Sequence, residues 1–281
     1  MMNHSEDTNV TQLEQLETSL HDVGRQNRTT IQAGPFYAYL AAEPEPHLSF
    51  ASPSTTPLTP SSNWQSAIVA LRQVFREYAR TMRLEYFAEC YPDLANHLEQ
   101  AGLVCESRAP VMTLDSITWG TQTLSETALP GHYVDLASAP PERLKAFLQG
   151  QAVAFQLAGD VPEDADLSVD DAGGLDWLPH LIQGVAAGTV IGAGLEQGGQ
   201  FVSGAIIQLG GNIGELAGVW TYPQNRKQGL AYAVCQHLLA SYFDAGYSLC
   251  WLSAAEGAQR LYERLGFQRC GTQLNYSLPH T

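Results

Sequence analysis

The sequence has 281 residues, longer than a usual single domain, and predicts two domains of about 100–150 residues each. Its 29 acidic and 14 basic residues give a formal net charge of −15 without a Lys/Arg-rich segment, which argues against nucleic acid as a partner. Five cysteines without C-x-x-C spacing and eight scattered histidines predict reduced thiols, a cytoplasmic protein and no metal site. No stretch has the pattern of a signal peptide or a membrane span.

The first part of the chain alternates helical and extended patterns. These patterns predict a helix over 11–23, strands over 36–41 and 47–51, an amphipathic helix from Asn63, a strand over 83–88, a helix over 92–101 and a strand ending near Pro110. A loop rich in Ser, Thr and Pro, residues 53–60, precedes the amphipathic helix. Residues 115–141 are also rich in Ser, Thr and Pro, with a strand signal at 132–134. We therefore predict a first domain over 1–120, a linker over 121–135 and a second domain over 136–281.

The second domain begins with helical patterns and continues with extended ones. The predicted elements are helices near 144–148 and 177–183, strands over 188–195, 201–209 and 213–221, a helix over 229–243, a strand over 247–252 and closing strands over 267–270 and 272–278. This order indicates an α/β fold with antiparallel strands followed by a β-α-β-α-β unit. The acidic run 164–171 predicts a solvated loop, because Val169 and Leu175 stand where a calcium loop needs Gly and Glu.

Two blocks of the sequence repeat at a constant spacing. The pattern of residues 85–103 is similar to that of residues 249–267, and the equivalent residues Gly102 and Gly266 are 164 residues apart. The repeat predicts two copies of one fold. Leu98 stands in the first copy where Tyr262 stands in the second. The first copy's loop 53–60 has neither the arginine nor the glycine of residues 226–231, and its prolines lack N–H donors, so we expect it not to bind a pyrophosphate.

The second copy contains a strand, a glycine loop and a helix over residues 218–243. The first amides of such a helix have no internal partners, and the helix dipole adds partial positive charge there, which favours a bound pyrophosphate. Gly229 is not followed by Lys-Ser/Thr, and no G-x-G-x-x-G is present. A P-loop nucleotidase and a Rossmann dehydrogenase are therefore both disfavoured.

Residues 226–231, Arg-Lys-Gln-Gly-Leu-Ala, resemble the R/Q-x-x-G-x-G/A loop with which the GNAT superfamily of acyl-CoA N-acyltransferases binds the coenzyme A pyrophosphate. Residues 258–267, AQRLYERLGF, resemble that family's A-x-x-L-Y-x-x-x-G-F segment, one helix and one strand after the loop. The resemblance covers about the last 150 residues well and about the first 110 weakly. It implies two tandem GNAT-like domains, each a mixed, mostly antiparallel sheet flanked by helices, with a degenerate N-terminal copy.

This resemblance implies an N-acetyltransferase that moves an acetyl group from acetyl-CoA to a primary amine directly, in a ternary complex and without a metal. The main chain of Val219, Trp220 and Thr221 would pair with the pantetheine arm. The other cofactor-binding residues would be those of the loop, Arg226, Lys227, Gln228, Gly229, Leu230 and Ala231. Tyr262 would donate a proton to the departing sulfur, and Glu215 would remove the amine proton through water.

One position departs from the family pattern, because Ala255 stands where an asparagine often contacts the cofactor. This departure leaves a second hypothesis open, a non-catalytic acyl-CoA sensor or scaffold, and a third, an interaction module without a ligand. Trp177, Trp220 and Tyr222 either line an acceptor pocket or pack in the core. The resemblance implies a small-molecule or peptide amine as the acceptor but does not identify it. The acyl chain and the oligomeric state also stay open.

Overall fold

The structure is a computed structural model that describes residues 4–43, 46–54, 64–121, 131–156 and 175–279. It divides into two compact units, one formed by Met1–Thr113, Ser253–Gln259 and Gln268–Thr281, the other by Leu114–Leu252 and Arg260–Phe267. Most of the predicted linker 121–135, the loop 55–60 and the acidic run 164–171 lie outside the described residues. The predicted domain boundaries accordingly stay a prediction.

The described residues of the first unit form three helices and six strands. They are α1 (His4–Arg25), β1 (Thr29–Ala33), β2 (Phe36–Leu40), β3 (Phe50–Pro53), α2 (Trp64–Glu77), β4 (Arg83–Phe87), α3 (Leu94–Gln100), β5 (Val104–Asp115) and the last strand of the chain, β11 (Gln268–Ser277). The strands lie in the order β1-β2-β3-β4-β11-β5. Only β3 and β4 pair in parallel within this series; the other neighbours are antiparallel.

The core of the first unit lies under α2. The apolar side chains of this helix recur with helical spacing, so that Ile68, Leu71 and Phe75 are buried against the sheet. Two sequence predictions need correction here. Residues 46–48 form a 3₁₀ turn where a strand over 47–51 was predicted, and β11 is one strand where two were predicted. Its register shifts between Arg269 and Gly271, and this irregularity interrupts the alternation of the sequence.

Five helices and five strands are formed by the second unit's residues outside 122–130 and 157–174. They are α4 (Ser116–Gly120), β6 (His132–Asp135), α5 (Pro141–Gln156), α6 (Leu178–Ala187), β7 (Val190–Gln197), β8 (Gln200–Gly210), β9 (Ile213–Thr221), α7 (Leu230–Asp244), β10 (Leu249–Ser253) and α8 (Gln259–Arg264). The strand order is β6-β7-β8-β9-β10. The first four are antiparallel neighbours, and β10 pairs with β9 in parallel.

Helices cover both faces of this second sheet. A Cβ built on Gly204 of β8 would meet Phe147 of α5, whereas one built on Gly214 of β9 would meet Tyr242 of α7. Glycine at these two positions lets each helix approach the strands closely. The unit is therefore a mixed, mostly antiparallel sheet flanked by helices.

The structure confirms the repeat. In both copies a parallel strand, β4 or β10, leads through a short helix, α3 or α8, to a glycine and a further strand, β5 or β11. Gly102 and Gly266 have φ angles of +84° and +91°, a conformation that favours glycine after a helix. The two copies thus share their element order and the left-handed conformation of this glycine, and the fold class is a tandem α/β architecture.

Candidate active site

The central strands of the second unit separate partway along their length. The parallel register of β9 with β10 covers Ile213 to Glu215 on β9 and ends at Trp251 on β10. Both strands continue past this point, β9 as far as Thr221. Paired strands share a ladder of hydrogen bonds, so the end of the register on two strands that both go on means that they diverge. The main chain of residues 216–221 therefore borders an opening on the β10 side.

A β-bulge lies in β9 where the strands diverge. Gly204 of β8 is opposite Trp220 while Ile206 is opposite Ala217, so β9 contains one more residue than β8 over this interval. Gly218 has φ +56°, a conformation that favours glycine. Its carbonyl oxygen accepts a hydrogen bond of 3.0 Å from Nε2 of Gln151 on α5. The bulge is thus fixed by a side chain that the sequence did not single out.

The loop after β9 presents backbone amides at the start of α7. A 3₁₀ turn, Pro223–Asn225, leads into residues 226–229, of which Lys227, Gln228 and Gly229 are exposed. Lys227 and Gly229 have φ angles of +62° and +82°. Gly229 is the N-cap of α7 and has no side chain that could satisfy the first amides of the helix. Backbone amides in a turn with left-handed residues at a helix start can form a concave anion site, so the loop fits a pyrophosphate.

Arg226 anchors this loop through main-chain carbonyls. Its Nη2 donates to Ala154 O on α5 at 2.9 Å, and its Nε donates to Thr221 O at 3.4 Å. The guanidinium is therefore tied to the end of β9 and to α5, with further donors left for a ligand. Gln228 donates to Gln224 O at 3.4 Å, which closes the loop on itself. Leu230 is buried and fixes the first turn of α7 in the core.

The three aromatic residues considered for an acceptor pocket occupy different environments. Trp220 is 3% exposed and packs edge-on against Phe147 and Tyr222, so its side chain belongs to the core. Trp177 is partly buried against the same core. Tyr222, by contrast, lines a cavity of about 380 Å³ together with Arg143 and Asn225. Gln149, Gln200 and Gln224 add amide groups to its wall.

Tyr262 lies on α8 against α7. It is 7% exposed and packs edge-on against Phe267, and the thiol of Cys235 on α7 is close enough to add to the rise of its pKa. Burial is the main cause of that rise, so the hydroxyl keeps its proton at neutral pH. Two residues on, the Arg264 guanidinium lies 4.7 Å from the ring centroid of Tyr232 on α7. These contacts fix α8 on the helix that begins at the glycine loop.

Glu215 is half-buried and occupies the last β9 position that pairs with β10. In register it lies opposite Gln208 of β8 and Trp251 of β10. The carboxyl group is therefore carried by the strand at the point where the opening between β9 and β10 begins. This position suits a group that acts on a molecule entering the opening.

Two classes of site are absent from the part of the chain that the structure describes. No three His, Cys, Asp or Glu side chains there are grouped so that they could hold a metal ion. None of the described helices has the length and apolarity needed to cross a bilayer. All five cysteines are free, and Cys235, Cys250 and Cys270 are buried.

Comparisons with known proteins agree with this geometry. Residues 147–267 match the family model described as the Acetyltransferase (GNAT) family. A GCN5-related N-acetyltransferase from Kribbella flavida is 23% identical, with 100% of this chain and 98% of that chain covered and a TM-score of 0.67. A putative GNAT-family acetyltransferase from Novosphingobium aromaticivorans is 16% identical over 94% of this chain and 96% of its own, with a TM-score of 0.54.

A third similar structure is a tandem GNAT protein from the clavulanic acid biosynthesis pathway. It is 12% identical, with 88% of this chain and 79% of that chain covered and a TM-score of 0.57. At these identities the three structures show a shared fold. No curated protein matches the sequence.

Proposed function

Since the chain belongs to the GNAT superfamily through residues 147–267, we propose that it transfers an acetyl group from acetyl-CoA to a primary amine, directly and in a ternary complex. The observation that carries this proposal is the combination in β9 of a bulge, a divergence from β10 and an exposed helix start. A thioester arm in that opening would have main chain beside it and amides at its phosphate end. Acetyl-CoA, when bound, supplies the activated acyl group.

The residues that would bind acetyl-CoA fall into two groups. The loop amides from Lys227 to Ala231, with the remaining Arg226 donors, would bind the pyrophosphate. The main chain of Val219, Trp220 and Thr221 would pair with the pantetheine arm, which is consistent with the Trp220 side chain lying in the core. The side chains of these three residues are then free to serve packing.

The proton transfers would be divided between Glu215 and Tyr262. The Glu215 carboxylate would accept the amine proton through water, which leaves a neutral nucleophile. The Tyr262 hydroxyl, protonated because burial raises its pKa, would donate to the sulfur as negative charge develops there. Burial of Tyr262 would also help to keep water away from that sulfur.

Thiol release across a panel of amines tests the proposal. Polyamines, aminoglycosides, amino acids and peptides are each mixed with acetyl-CoA and the full chain, and acetyl-CoA binding is measured separately by calorimetry. We expect amine-dependent thiol release that Tyr262→Phe lowers by about 10²-fold with little change in acetyl-CoA affinity. Tyr232→Phe, on α7, is the matched control and should leave the rate unchanged. Binding without turnover for any amine would favour the sensor or scaffold, and failure to bind acetyl-CoA would overturn both.

The acceptor proposed is a small-molecule or peptide amine, and neither nucleic acid nor a membrane is proposed as a partner. The net charge of −15 favours cationic molecules near the surface. We also propose a cytoplasmic location, since all five thiols are free.

A further inference from the structure

A cavity of about 350 Å³ in the first unit is lined by three arginines, Arg72, Arg76 and Arg80. None of its lining residues falls within residues 147–267, which carry the acetyltransferase match. Apolar side chains form much of the remaining wall, among them Phe75, Met82, Leu278 and Pro279. The cavity therefore joins a cationic side to an apolar side, in the copy that has no predicted pyrophosphate loop.

The backbone brings the three arginines to one side of α2 and its C-terminal turn. Arg72 and Arg76 are four residues apart and so share a helix face. The helix ends at Glu77, and Ala79 then adopts φ +52°, a left-handed conformation that is uncommon for alanine. The amide of Arg80 returns to donate to Phe75 O at 2.9 Å. This turn keeps the third arginine beside the other two.

Within the described part of the chain, the hydrogen bonds of Arg72 and Arg80 go to main-chain carbonyl oxygens. Arg80 donates to the carbonyl oxygens of Ala41, Ala42, Tyr78 and Ala79, which are neutral acceptors. Arg72 donates through Nη2 to Ala101 O at 2.6 Å, while its buried Nε has no hydrogen-bond partner within the described residues. Arg76 is exposed. Among the described residues, none of the three forms an ion pair with a carboxylate.

Another arginine of the same unit shows the contrast. Arg83 is buried, and its Nη1 lies 2.6 Å from Oε2 of Glu106, so a buried guanidinium is paired with a carboxylate there. The carboxylate nearest in sequence to the cavity, Glu77, accepts a hydrogen bond from Gln73. In a chain of net charge −15, three arginines line one cavity whose described wall contains no carboxylate. Such a cavity is a site that an anion would complete.

We propose that this cavity binds a small phosphate monoester. Guanidinium groups match the oxygens of phosphate in both geometry and charge. Three of them suit a phosphate dianion better than they suit a carboxylate, which has a single negative charge. The volume is within the range of metabolite sites, and the wall of Phe75, Met82 and Leu278 would contact an apolar ester group. Arg76 would supply free N–H donors and Arg72 would supply its buried Nε–H. Arg80 would add positive charge.

Calorimetry on the full chain tests the proposal with phenyl phosphate, inorganic phosphate and benzoate as probes. We expect phenyl phosphate to bind more tightly than inorganic phosphate, which lacks an apolar part, and than benzoate, which carries one negative charge. Arg76→Gln should weaken phenyl phosphate binding by about 10-fold or more, since it removes charge-assisted hydrogen bonds. Arg108→Gln, which removes an exposed arginine of β5 that does not line the cavity, should leave binding unchanged.

Three results would overturn the proposal that this cavity binds a phosphate monoester. No binding of either phosphate at about 10 mM, far weaker than the affinities of typical metabolite sites, overturns the proposal. An equal loss in Arg76→Gln and Arg108→Gln also overturns it, because the effect would then be one of overall charge. A third outcome against it is a loss of thermal stability in Arg76→Gln without any change in phosphate binding, because the arginine would then only stabilise the C-terminal end of α2.

Discussion

Gly218→Ala is the substitution that tests the bulge in β9 most directly. Alanine at φ +56° occupies the left-handed region, which costs about 1–2 kcal/mol. The new Cβ would also lie 2.4 Å from Nε2 of Gln151, so that side chain must move and lose its 3.0 Å hydrogen bond to Gly218 O. A lost hydrogen bond of this kind adds about 1 kcal/mol. The expected total is about 2–3 kcal/mol of unfolding free energy.

A double-mutant cycle separates the two contributions. In Gln151→Ala the amide that clashes is already absent, so Gly218→Ala should cost only its backbone part, about 1–2 kcal/mol. Urea unfolding followed by tryptophan fluorescence gives the four free energies, and calorimetry gives the acetyl-CoA affinity of each variant. We expect Gly218→Ala to weaken acetyl-CoA binding by about 10-fold or more, because a changed bulge re-aims Val219 to Thr221. Equal costs in both backgrounds, with unchanged acetyl-CoA binding, would show that neither the Gln151 contact nor the bulge has the role proposed for it.

Two further predictions concern buried titratable groups. Burial raises the pKa of Glu17 from 4.5 to about 7, so its neutral form stabilises the fold below pH 4.5 and that contribution is lost as the pH rises to 7. Relative to the parent, Glu17→Gln should therefore gain about 3 kcal/mol of stability between pH 4 and pH 8, and a flat difference in urea unfolding would contradict this. Burial also raises the pKa of the thiols of Cys235 and Cys250. Mass spectrometry of the native protein after iodoacetamide should find Cys105, which is partly exposed, alkylated before either of them.

Elements with long, regular patterns were predictable from the sequence. The bounds of β9 agree with the predicted strand 213–221, and α7 begins one residue after the predicted start. The strand β1 was missed because three of its five residues, Thr29, Thr30 and Gln32, are exposed and polar, which leaves too short an apolar alternation. The helix α4 was missed because five residues do not establish a period; its start depends on Asp115, whose carboxylate accepts from Thr118 N.

The candidate site was predictable only in part. The glycine loop and Tyr262 stood out because their spacing within a motif is a local property of the sequence. A glycine inside a strand pattern, such as Gly218, is a known signal of a bulge, but its partner Gln151 lies 67 residues earlier and has no sequence signal. The bond from Arg226 to Ala154 O is equally long-range. Such contacts depend on how α5 packs, which local patterns do not specify.

The position of β11 in the sheet affects how the protein folds during synthesis and how it can be divided into fragments. This strand comes last in the chain, yet it pairs on one side with β4 and on the other with β5. During synthesis the ribosome releases β4 and β5 long before their shared neighbour exists, so the N-terminal copy reaches its final pairing only when residues 268–277 have emerged. A fragment ending at residue 120 would expose two strand edges open to other chains. Separate expression of the copies therefore needs β11 grafted onto the first.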